Sequence, residues 1–573
     1  MQTWQTPCKT LAVALVAATL GACSAPPQSG GNATGMGVAV GAALQQCAGL
    51  LGAFRFDNTQ IDSATVAPAG ALKLGGQAVA EHCLVKGQMH KRQGSDGRTY
   101  AIAFEMRLPQ AWNGRFYHQG NGGLDGAVRP AEGALGGGPL TGALAQGFAV
   151  ISSDAGHTGA QTPYFGAEPQ ARLDYGYQAV VKLTPMAKAL IQTAYGKGPD
   201  RSYIGGCSNG GRHAMVAAAR LGEQYDGYLV GAPGYRLPNA ALAQLWGAQQ
   251  WAPLATPGAT TKHPLVPNAT IPNLETAFTA AERQHVANAI LATCDSLDGV
   301  TDGLVQDTQA CQARFNLQTA VATCTGVRNG QCLTADQKKA VAAVFAGGRT
   351  ADGRAIYAPF AYDPGLAAPN WATWKFVNAV ALDPLSTGTV FSVPPGPVNP
   401  LADNITQRLQ LFTATNATYT ESGMALMTPP GHENPTSMAQ LASRGARMVL
   451  YHGVADAIFS AEDTRQWVDR VQRTPGAQGF ARYFPVPGMA HCSGGPATDQ
   501  FDLLTPLVNW VEKGVTPQAV VASARGAGNP GGVNADVPAT WSAERTRPLC
   551  AHPTVARYNG TGPVEAASSY SCR

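Results

Sequence analysis

Charged side chains are scarce in this chain of 573 residues, and no segment of it is strongly basic. Asp, Glu, Lys and Arg together make up 13% of the residues, and the formal net charge is +4. Proteins that bind nucleic acids carry dense patches of Lys and Arg, so the composition argues against a nucleic-acid partner. The 67 glycines and 40 prolines favour a loop-rich exported enzyme over a coiled or disordered chain.

Long apolar runs are also missing. The run at residues 11–18 is too short to span a bilayer, but it is typical of the core of a signal peptide. It is followed by Leu20-Gly21-Ala22-Cys23, the pattern of a bacterial lipoprotein cleavage site; plain secretion with cleavage nearby is the alternative. We therefore expect a signal peptide at residues 1–23 and a flexible tether at residues 24–40. The protein would be secreted, or held in the periplasm or at the outer membrane as a lipoprotein attached through Cys23.

The cysteines lack the C-x-x-C spacing that is typical of metal-bound cysteine clusters. Of the 12 cysteines, Cys8 and Cys23 belong to the expected signal peptide, and the rest are even in number, as disulfide formation in an oxidising compartment requires. Proximity favours four pairs, which leaves a fifth pair distant in sequence, although the sequence alone does not prove the connectivity. The pairs are Cys47–Cys83, Cys294–Cys311, Cys324–Cys332, Cys550–Cys572 and Cys207–Cys492.

A candidate nucleophile lies near the middle of the chain. The string Gly206-Cys207-Ser208-Asn209-Gly210 matches G-x-S-x-G, in which the glycines permit a strained strand-to-helix turn that lifts the serine above a sheet. A single match of this kind is weak evidence. Its context supports it, because residues 201–205 predict a strand that enters the turn and residues 212–221, rich in alanine, predict a helix that leaves it.

A carboxylate and a histidine follow Ser208 in the order that an α/β-hydrolase requires. Asp456 comes after an apolar run at residues 448–452 that predicts a buried strand, and His491 comes after a second predicted strand at residues 483–486. In such a triad the histidine takes the proton of the serine and the carboxylate orients the histidine. The alternative is that Asp456 caps a helix and that His491 is an ordinary surface or core histidine.

An oxyanion hole needs two backbone N–H donors. The amide of Asn209, directly after the candidate nucleophile, is one candidate. The glycine-rich loop at residues 119–123 follows the predicted strand at residues 115–118, and we favour Gly123 as the second donor. An ordinary glycine turn is the alternative for this loop.

The order of predicted elements indicates one enzyme core with an insertion. Strand and helix alternate up to Gly231, which implies a mostly parallel sheet. Residues 236–444 contain helical pieces without clear sheet-forming strands, and the strand pattern then resumes. We expect an α/β-hydrolase core at residues 41–235 and 445–573, with a large inserted lid domain at residues 236–444.

The expected lid contains Asp295, Asp298 and Asp302 at short spacing, with glycines between them. Three carboxylates on such a loop can surround one hard cation, and a flexible oxygen cage suits calcium better than magnesium. The spacing is not that of an EF-hand, and aspartates that cap helices and turns are the alternative. A calcium ion here would be structural.

The Cys-Ser and His-Cys pairs, the aspartate between them and the CDxLDGxxDG loop resemble the tannase and feruloyl esterase family over nearly the whole mature chain. The resemblance implies an α/β-hydrolase with a lid, the triad Ser208, Asp456 and His491, and a disulfide between Cys207 and Cys492. It also implies an oxyanion hole and a structural calcium, without an organic cofactor. The residues implied are Gly123 and Asn209 for the oxyanion, the side chains of Asp295, Asp298 and Asp302 for calcium, and for calcium also the carbonyls of Val300 and Leu304.

The implied activity is hydrolysis of esters of aromatic acids, such as mono(2-hydroxyethyl) terephthalate, feruloyl or galloyl esters. Family members that cleave terephthalate monoesters bind the free carboxylate with a lid arginine, whereas Lys375 is the only cation between Arg354 and Arg408 here. They also carry an acidic residue at the position of Asn209 and a serine at that of Gly122. These departures argue against a preference for terephthalate monoesters, although the expected triad is intact.

Three aromatic residues of the expected lid, Trp371, Trp374 and Phe376, are candidates for a clamp on the substrate, with a place in the lid core as the alternative. A serine peptidase on the same fold is a rival function, and a non-catalytic surface binding protein is another. The expected partner is a small aromatic ester, and the sequence does not give the oligomeric state.

Overall fold

The structure of the protein is a computed structural model that describes residues 35–573. The expected signal peptide, Cys23 and the tether up to residue 34 lie outside the described residues. The last part of the expected tether is bound to the core instead, since the amide of Met36 donates to the Val511 carbonyl at 2.8 Å. In residues 35–573, no helix has the length and apolar character needed to cross a bilayer.

Nine strands form the central sheet in the spatial order β9-β8-β7-β6-β4-β5-β3-β2-β1. Neighbouring strands from β9 to β5 pair in parallel, whereas β5, β3, β2 and β1 pair antiparallel. In chain order the strands are β1 (Thr59–Ala67), β2 (His82–Gln93), β3 (Thr99–Pro109), β4 (Arg115–Gln119), β5 (Ala149–Ser153), β6 (Arg201–Cys207), β7 (Gly227–Gly231), β8 (Arg447–Gly453) and β9 (Ala481–Val486).

The parallel strands are apolar and are covered on both faces, as parallel sheets require. Every residue of β7 and β8 is buried. Neighbouring residues of β6 point to opposite faces, so that Ile204 packs into one hydrophobic cluster and Tyr203 into another. The sheet therefore has helices on both sides: α3 (Ala179–Tyr195), α4 (Asn209–Arg220) and α15 (Ala461–Arg473) on the first, and α16 (Leu504–Lys513) on the second.

Residues 232–446, all of which the structure describes, add no strand to the central sheet. They form a separate hydrophobic cluster around Trp251 and Phe345, and this cluster includes Phe459 from the loop after β8. The segment therefore packs against the carboxyl end of the sheet. Its α-helices are α5 (Leu237–Trp251), α6 (Ala280–Cys294), α7 (Thr308–Arg314), α8 (Leu317–Ala320), α9 (Ala335–Phe345), α10 (Pro369–Ala372), α11 (Leu382–Ser386), α12 (Ile405–Thr413), α13 (Gly423–Met427) and α14 (Ser437–Ser443).

The remaining regular elements are short. Two further helices, α1 (Leu50–Ala53) and α2 (Pro169–Leu173), precede α3 in the chain. Five two-stranded pieces lie outside the central sheet. They pair Ala42–Ala43 with Ala111–Trp112, Lys73–Leu74 with Gln77–Ala78, Thr260–Lys262 with Thr270–Pro272, Ala519–Ser523 with Thr546–Cys550, and Ala556–Tyr558 with Tyr570–Cys572.

Five disulfides connect the described cysteines, in the same pairs as those expected. They are Cys47–Cys83, Cys207–Cys492, Cys294–Cys311, Cys324–Cys332 and Cys550–Cys572. Disulfides persist in oxidising compartments and are rare in the cytosol. This content indicates a protein of the periplasm or the extracellular space.

Candidate active site

Ser208 occupies a sharp turn between β6 and α4. Its backbone lies in the left-handed region, with φ of 65°, which is unusual for a residue with a side chain and is a form of strain found at functional sites. The flanking glycines leave room for a neighbouring loop: a Cβ atom on Gly206 or on Gly210 would lie 2.3 Å from the carbonyl oxygen of Gly120. The turn therefore depends on glycine at both positions.

Hydrogen bonds link Ser208, His491 and Asp456 in one chain. The Oγ atom of Ser208 lies 2.8 Å from Nε2 of His491, and Nδ1 of His491 lies 2.7 Å from Oδ2 of Asp456. The loops that follow β6, β8 and β9 carry these side chains to one edge of the sheet. The structure thus brings together a hydroxyl, an imidazole and a carboxylate in the order that nucleophilic catalysis requires.

Asp456 is buried and receives four hydrogen bonds. Its Oδ1 atom accepts from the amides of Ile458 and Phe459 at 2.9 and 3.0 Å, and its Oδ2 atom accepts from His491 and from Nε2 of His452, the latter at 3.2 Å. Burial alone raises the pKa of Asp456, but the charge of His491 and the hydrogen bonds from both histidines outweigh burial and hold that pKa well below its usual range. Asp456 is therefore ionised and orients His491.

His452 is a further residue of this site, one that no sequence motif indicates. It is fully buried, and its Nδ1 atom lies 2.8 Å from the hydroxyl of Thr464, while Nε2 faces the Phe459 carbonyl at 3.0 Å as well as Asp456. The i, i+4 spacing between His452, on the buried strand β8, and Asp456, in the loop after it, was the available signal. The contact of His452 with Oδ2, the oxygen that also accepts from His491, helps to fix the carboxylate.

The two candidate oxyanion donors lie beside Ser208. Gly123 and Asn209 line the same small cavity as the Ser208 side chain. Within residues 35–573, neither amide donates a hydrogen bond to a protein acceptor. Both N–H groups are therefore available to an oxygen bound next to Ser208.

The cavity beside Ser208 is predominantly apolar. Trp374 stands edge-on to the His491 imidazole with the ring centroids 5.2 Å apart, and Phe459 does the same at 5.4 Å. Such a surface suits a flat aromatic group. Besides Gly123, Ser208 and Asn209, the lining residues are Leu124, Tyr175, Leu237, Trp374, Leu382, Asp383, Ser386, Phe391, Ile458 and Phe459.

Of the three aromatic residues expected to form a clamp, only Trp374 lines this cavity. Trp371 and Phe376 are buried in the core of the 232–446 segment, against Trp251 and Phe278. Residues 373–377 form a π-helical turn, in which residues five apart lie on the same side. Trp371 and Phe376 therefore share the core-facing side, and the expected clamp is reduced to Trp374.

Two buried ionisable residues, Asp383 and Lys375, lie near the cavity. Asp383 lines it, and its Oδ2 atom has no hydrogen-bond partner in the described part of the chain. The ammonium of Lys375 lies 3.5 Å from the ring centroid of Phe360. Burial raises the pKa of Asp383 well above its usual range, with the charge of Lys375 acting in the opposite direction. Among the described residues, Lys375 does not line this cavity.

Backbone amides of the aspartate-rich loop donate hydrogen bonds to the carboxylates of the same loop. Asp295 accepts hydrogen bonds from the amides of Asp302 and Gly303 at 3.0 and 2.9 Å, and Asp302 accepts one from Leu304 at 3.1 Å. The Oδ2 atom of Asp298 is buried without a partner, as a metal ligand would be. Asp302, however, also pairs with the guanidinium of Arg547. Among residues 35–573, no group of three or more His, Cys, Asp or Glu side chains is arranged to hold a metal ion.

The chain is similar to known proteins over most of its length. The sequence model described as "Tannase and feruloyl esterase" matches residues 83–573. Mono(2-hydroxyethyl) terephthalate hydrolase from Piscinibacter sakaiensis is 37% identical over 557 residues, which cover 90% of this chain and 88% of that protein. A probable feruloyl esterase B-1 from Neosartorya fischeri is 28% identical over 487 residues, or 82% of each chain.

The fold is shared with a solved structure. Feruloyl esterase B from Aspergillus oryzae superimposes with a TM-score of 0.72 at 24% identity, covering 92% of this chain and 99% of that chain. This likeness and the mixed sheet with helices on both faces identify the α/β-hydrolase fold, as expected from the sequence. The chain belongs to the tannase and feruloyl esterase family and is a carboxylic ester hydrolase.

Proposed function

We propose that Ser208 is the nucleophile of this esterase and that it forms an acyl-enzyme with an aromatic acid. His491 takes the proton of the Ser208 hydroxyl as its oxygen attacks the ester carbon, and returns that proton to the leaving alcohol. A water molecule then attacks the acyl-enzyme: His491 takes a proton from the water and returns it to the Ser208 oxygen as the bond between Ser208 and the acid breaks. Asp456 holds the imidazole in the required tautomer. The observation that carries this proposal is the hydrogen-bonded chain from Ser208 through His491 to Asp456, at 2.8 and 2.7 Å.

Charge develops on the ester oxygen during attack, and the amides of Gly123 and Asn209 would stabilise it. Their availability beside Ser208 supports this assignment. Gly122 lies over the nucleophile, where an added Cβ atom would be 3.8 Å from Cβ of Ser208. Residues 236–444 would act as the lid of a core formed by residues 41–235 and 445–573, because Trp374 and Asp383 of this segment line the cavity from above Ser208.

The acyl group is proposed to be aromatic. The relatives are named for a terephthalate monoester and for feruloyl esters, and the rings of Trp374 and Phe459 beside His491 suit a planar acid. Between these acids, the polar residues of the cavity favour one that bears a hydroxyl group. A free carboxylate removed from water needs a positive partner, and neither protonation state of Asp383 supplies one. A phenolic hydroxyl can hydrogen-bond to Asp383 in either state, so feruloyl or galloyl esters are the preferred substrates.

A matched panel of esters tests this proposal. Methyl ferulate, methyl gallate and mono(2-hydroxyethyl) terephthalate are compared by kcat/KM for the wild type and for Ser208→Ala. We expect turnover of at least one hydroxylated ester, a lower value for the terephthalate monoester, and no turnover by the variant. Hydrolysis that persists in correctly folded Ser208→Ala would overturn the assignment of the nucleophile.

The rival serine peptidase uses the same three groups, so it is tested with the amide that matches the best ester. We expect the ester alone to be cleaved at a useful rate, because an amide carbonyl is less electrophilic than an ester carbonyl and an amine is a poorer leaving group than an alcohol. Labelling of the wild type, but not of Ser208→Ala, by a fluorophosphonate would separate a working nucleophile from a vestigial one.

We further propose that the aspartate-rich loop holds calcium as a structural ion. The ligands would be the side chains of Asp295, Asp298 and Asp302 and the carbonyls of Val300 and Leu304. The partnerless Oδ2 atom of Asp298 supports this, since a buried carboxylate oxygen without a donor is costly unless a cation satisfies it. Bound calcium would hold the loop together and neutralise its carboxylates, and it takes no part in the ester chemistry. Attachment to the outer membrane through a lipidated Cys23 is likewise proposed from the sequence motif.

A further inference from the structure

Asp125 connects the two chain segments that carry the candidate oxyanion donors. It lies two residues after Gly123 on the glycine-rich loop, and its Oδ2 atom accepts a hydrogen bond from the Nδ2 atom of Asn209 at 2.7 Å. The same oxygen lies 3.1 Å from Nε2 of His213, on the first turns of α4. The loop that carries one donor is therefore bonded to the side chain of the residue that carries the other.

The contact belongs to a closed ring of hydrogen bonds. The Oδ1 atom of Asn209 accepts from Nε of Arg212 at 2.7 Å, and Nη2 of Arg212 donates to the Tyr175 carbonyl at 3.1 Å. The Tyr175 hydroxyl then donates to the carbonyl of Gly123 at 3.2 Å. The path thus leaves the glycine-rich loop at Asp125 and returns to it at Gly123.

Every side chain of this ring is removed from solvent. Tyr175 and Arg212 are fully buried, and Asn209 is 2% exposed. A buried polar network is stiff when all its members are paired and costly when one partner is removed. Burial lowers the pKa of His213 well below its usual value, with the charge of Arg212 acting in the same direction, so the imidazole is neutral. Its contact with Asp125 is therefore a hydrogen bond rather than an ion pair.

The backbone at Asp125 is also strained. Its φ of 54° lies in the left-handed region, and its amide donates to the carbonyl of Gly122 at 3.3 Å. A residue with a side chain persists in such a conformation when its surroundings over-determine it. The side-chain bonds to Asn209 and His213 supply that constraint.

We propose that Asp125 is a positioning residue of the oxyanion hole, which fixes the Asn209 side chain and so sets the distance between the amides of Gly123 and Asn209. This inference rests on the proposed function. Oxyanion stabilisation requires donors that are in place before charge develops, and loss of one donor lowers kcat by about 100- to 1000-fold. Loosening of both donors by removal of Asp125 is expected to act on the same step.

The experiment compares Asp125→Ala and Asp125→Asn with the matched control Tyr203→Phe. Tyr203 is equally buried, and its hydroxyl donates to Glu512 at 3.0 Å at the start of β6, far along the strand from Ser208. We expect Asp125→Ala to lower kcat by about 10- to 100-fold with KM changed by less than about threefold. Asp125→Asn keeps an acceptor for Asn209 and should restore part of the loss, whereas Tyr203→Phe should keep the wild-type kcat.

Binding of phenylboronic acid gives a readout that a loss of stability does not move. The boron atom accepts the Ser208 oxygen and becomes tetrahedral. The affinity of each Asp125 variant for phenylboronic acid should therefore fall in proportion to the fall in its kcat. Asn209→Ala removes the same bond from the helix side, and the losses of the two single variants should combine to less than their sum in the double variant, because both single variants lose the bond between Asp125 and Asn209. The single variant Asn209→Ala also tests the bond if Asp125→Ala fails to fold.

Wild-type kcat in a folded Asp125→Ala protein, or strictly additive losses with Asn209→Ala, would overturn the inference. A loss confined to KM would do so as well. The proposed function has a separate test, since Ser208→Ala must be inactive whatever Asp125 does. If Ser208→Ala is inactive and Asp125→Ala is fully active, only the role of Asp125 is wrong.

Discussion

Cys207 and Cys492 join the residue before Ser208 to the residue after His491 through one disulfide. Their Cα atoms lie 6.0 Å apart although 285 positions separate them in the chain. The bond closes a loop that contains the whole 232–446 segment and Asp456. It therefore constrains the unfolded chain and the distance between Ser208 and His491 at the same time.

Replacement of both cysteines, Cys207→Ala with Cys492→Ala, is expected to lower kcat and stability together. The free energy of unfolding should fall by about 2 to 5 kcal/mol, because a long loop is no longer closed. The kcat should fall by roughly tenfold or more, since displacement of a catalytic group by about an ångström can cost on the order of a hundredfold. Denaturant unfolding and ester hydrolysis measure the two effects. The control is Cys324→Ala with Cys332→Ala, which opens a disulfide of separation 8 and should leave kcat unchanged. Equal kcat in both double variants would contradict this role.

Gly210→Ala is expected to inactivate the enzyme. The added Cβ atom would lie 2.3 Å from the carbonyl oxygen of Gly120. This backbone atom cannot move without shifting the glycine-rich loop. We expect kcat/KM to fall by about 100-fold or more. Gly52→Ala is the control, because no atom lies within 4 Å of its added Cβ and the residue sits in α1. The same loss of activity in both variants would show that the close approach to Gly120 is not the cause.

The expected positions of Ser208, Asp456 and His491 could be derived from the sequence because each follows a strand with a strong local signal. Strand and turn patterns depend on residues within a few positions of one another, and parallel strands end at one edge of a sheet. The bounds of β6 and β8 differ from the predicted runs by only one or two residues. The expected disulfides agree with the structure because four of them join cysteines that are close in sequence, which leaves Cys207 and Cys492 as the fifth pair.

Asp125, His213 and Trp374 show where such reasoning stops. The bond between Asp125 and Asn209 joins residues 84 positions apart, and no local pattern signals that contact. The side of the helix on which Trp374 lies depends on a π-helical turn at residues 373–377, which shifts the periodicity that an α-helix would have. The last residues of the expected tether contact α16 mainly through backbone amides, such as that of Met36, and composition does not reveal such bonds.

Asp383→Leu is expected to change substrate preference rather than chemistry. The variant removes the carboxyl group that lines the cavity and whose Oδ2 atom has no protein partner in residues 35–573. We expect kcat/KM for methyl ferulate to fall by about tenfold, the amount that one hydrogen bond contributes, while kcat/KM for methyl cinnamate, which lacks the hydroxyl group, stays within about threefold. Equal losses on the two esters would show that Asp383 does not contact the hydroxyl group.

Removal of calcium is expected to lower the melting temperature without changing the chemistry. A chelator should shift the thermal unfolding of the wild type downward, and added calcium should reverse the shift more effectively than magnesium, because an ion that binds only the folded state stabilises it. Asp298→Asn should abolish the response by removing the carboxylate with the partnerless oxygen. A wild type whose melting temperature ignores both chelator and calcium would refute the proposed site.

Lys375→Met is expected to stabilise the protein, although it removes a charge beside the active site. Lys375 is 3% exposed, and its ammonium lies over the Phe360 ring, 3.5 Å from the ring centroid. Burial lowers the pKa of Lys375 to about 7, against the opposing effect of the carboxyl groups of Asp456 and Asp383. The folded state therefore disfavours the charged form, and each pKa unit corresponds to about 1.4 kcal/mol.

The sign of this effect sets its pH dependence. The pKa of Lys375 is lower in the folded protein than in the unfolded chain. As the pH falls below about 10.5, the unfolded state therefore gains its proton first and the wild type loses stability. This loss ends when Lys375 of the folded protein is also protonated, at about pH 7. The advantage of Lys375→Met should thus be small at about pH 10 and reach on the order of 2 to 5 kcal/mol at neutral pH.

Lys338→Met is the control. Lys338 is equally buried, but its ammonium donates to the carbonyls of Gln318 and Val321 and to Thr323, so its loss leaves acceptors unpaired and should destabilise the protein. Chemical denaturation of both variants at the two pH values checks the prediction, which fails if Lys375→Met is the less stable protein at neutral pH.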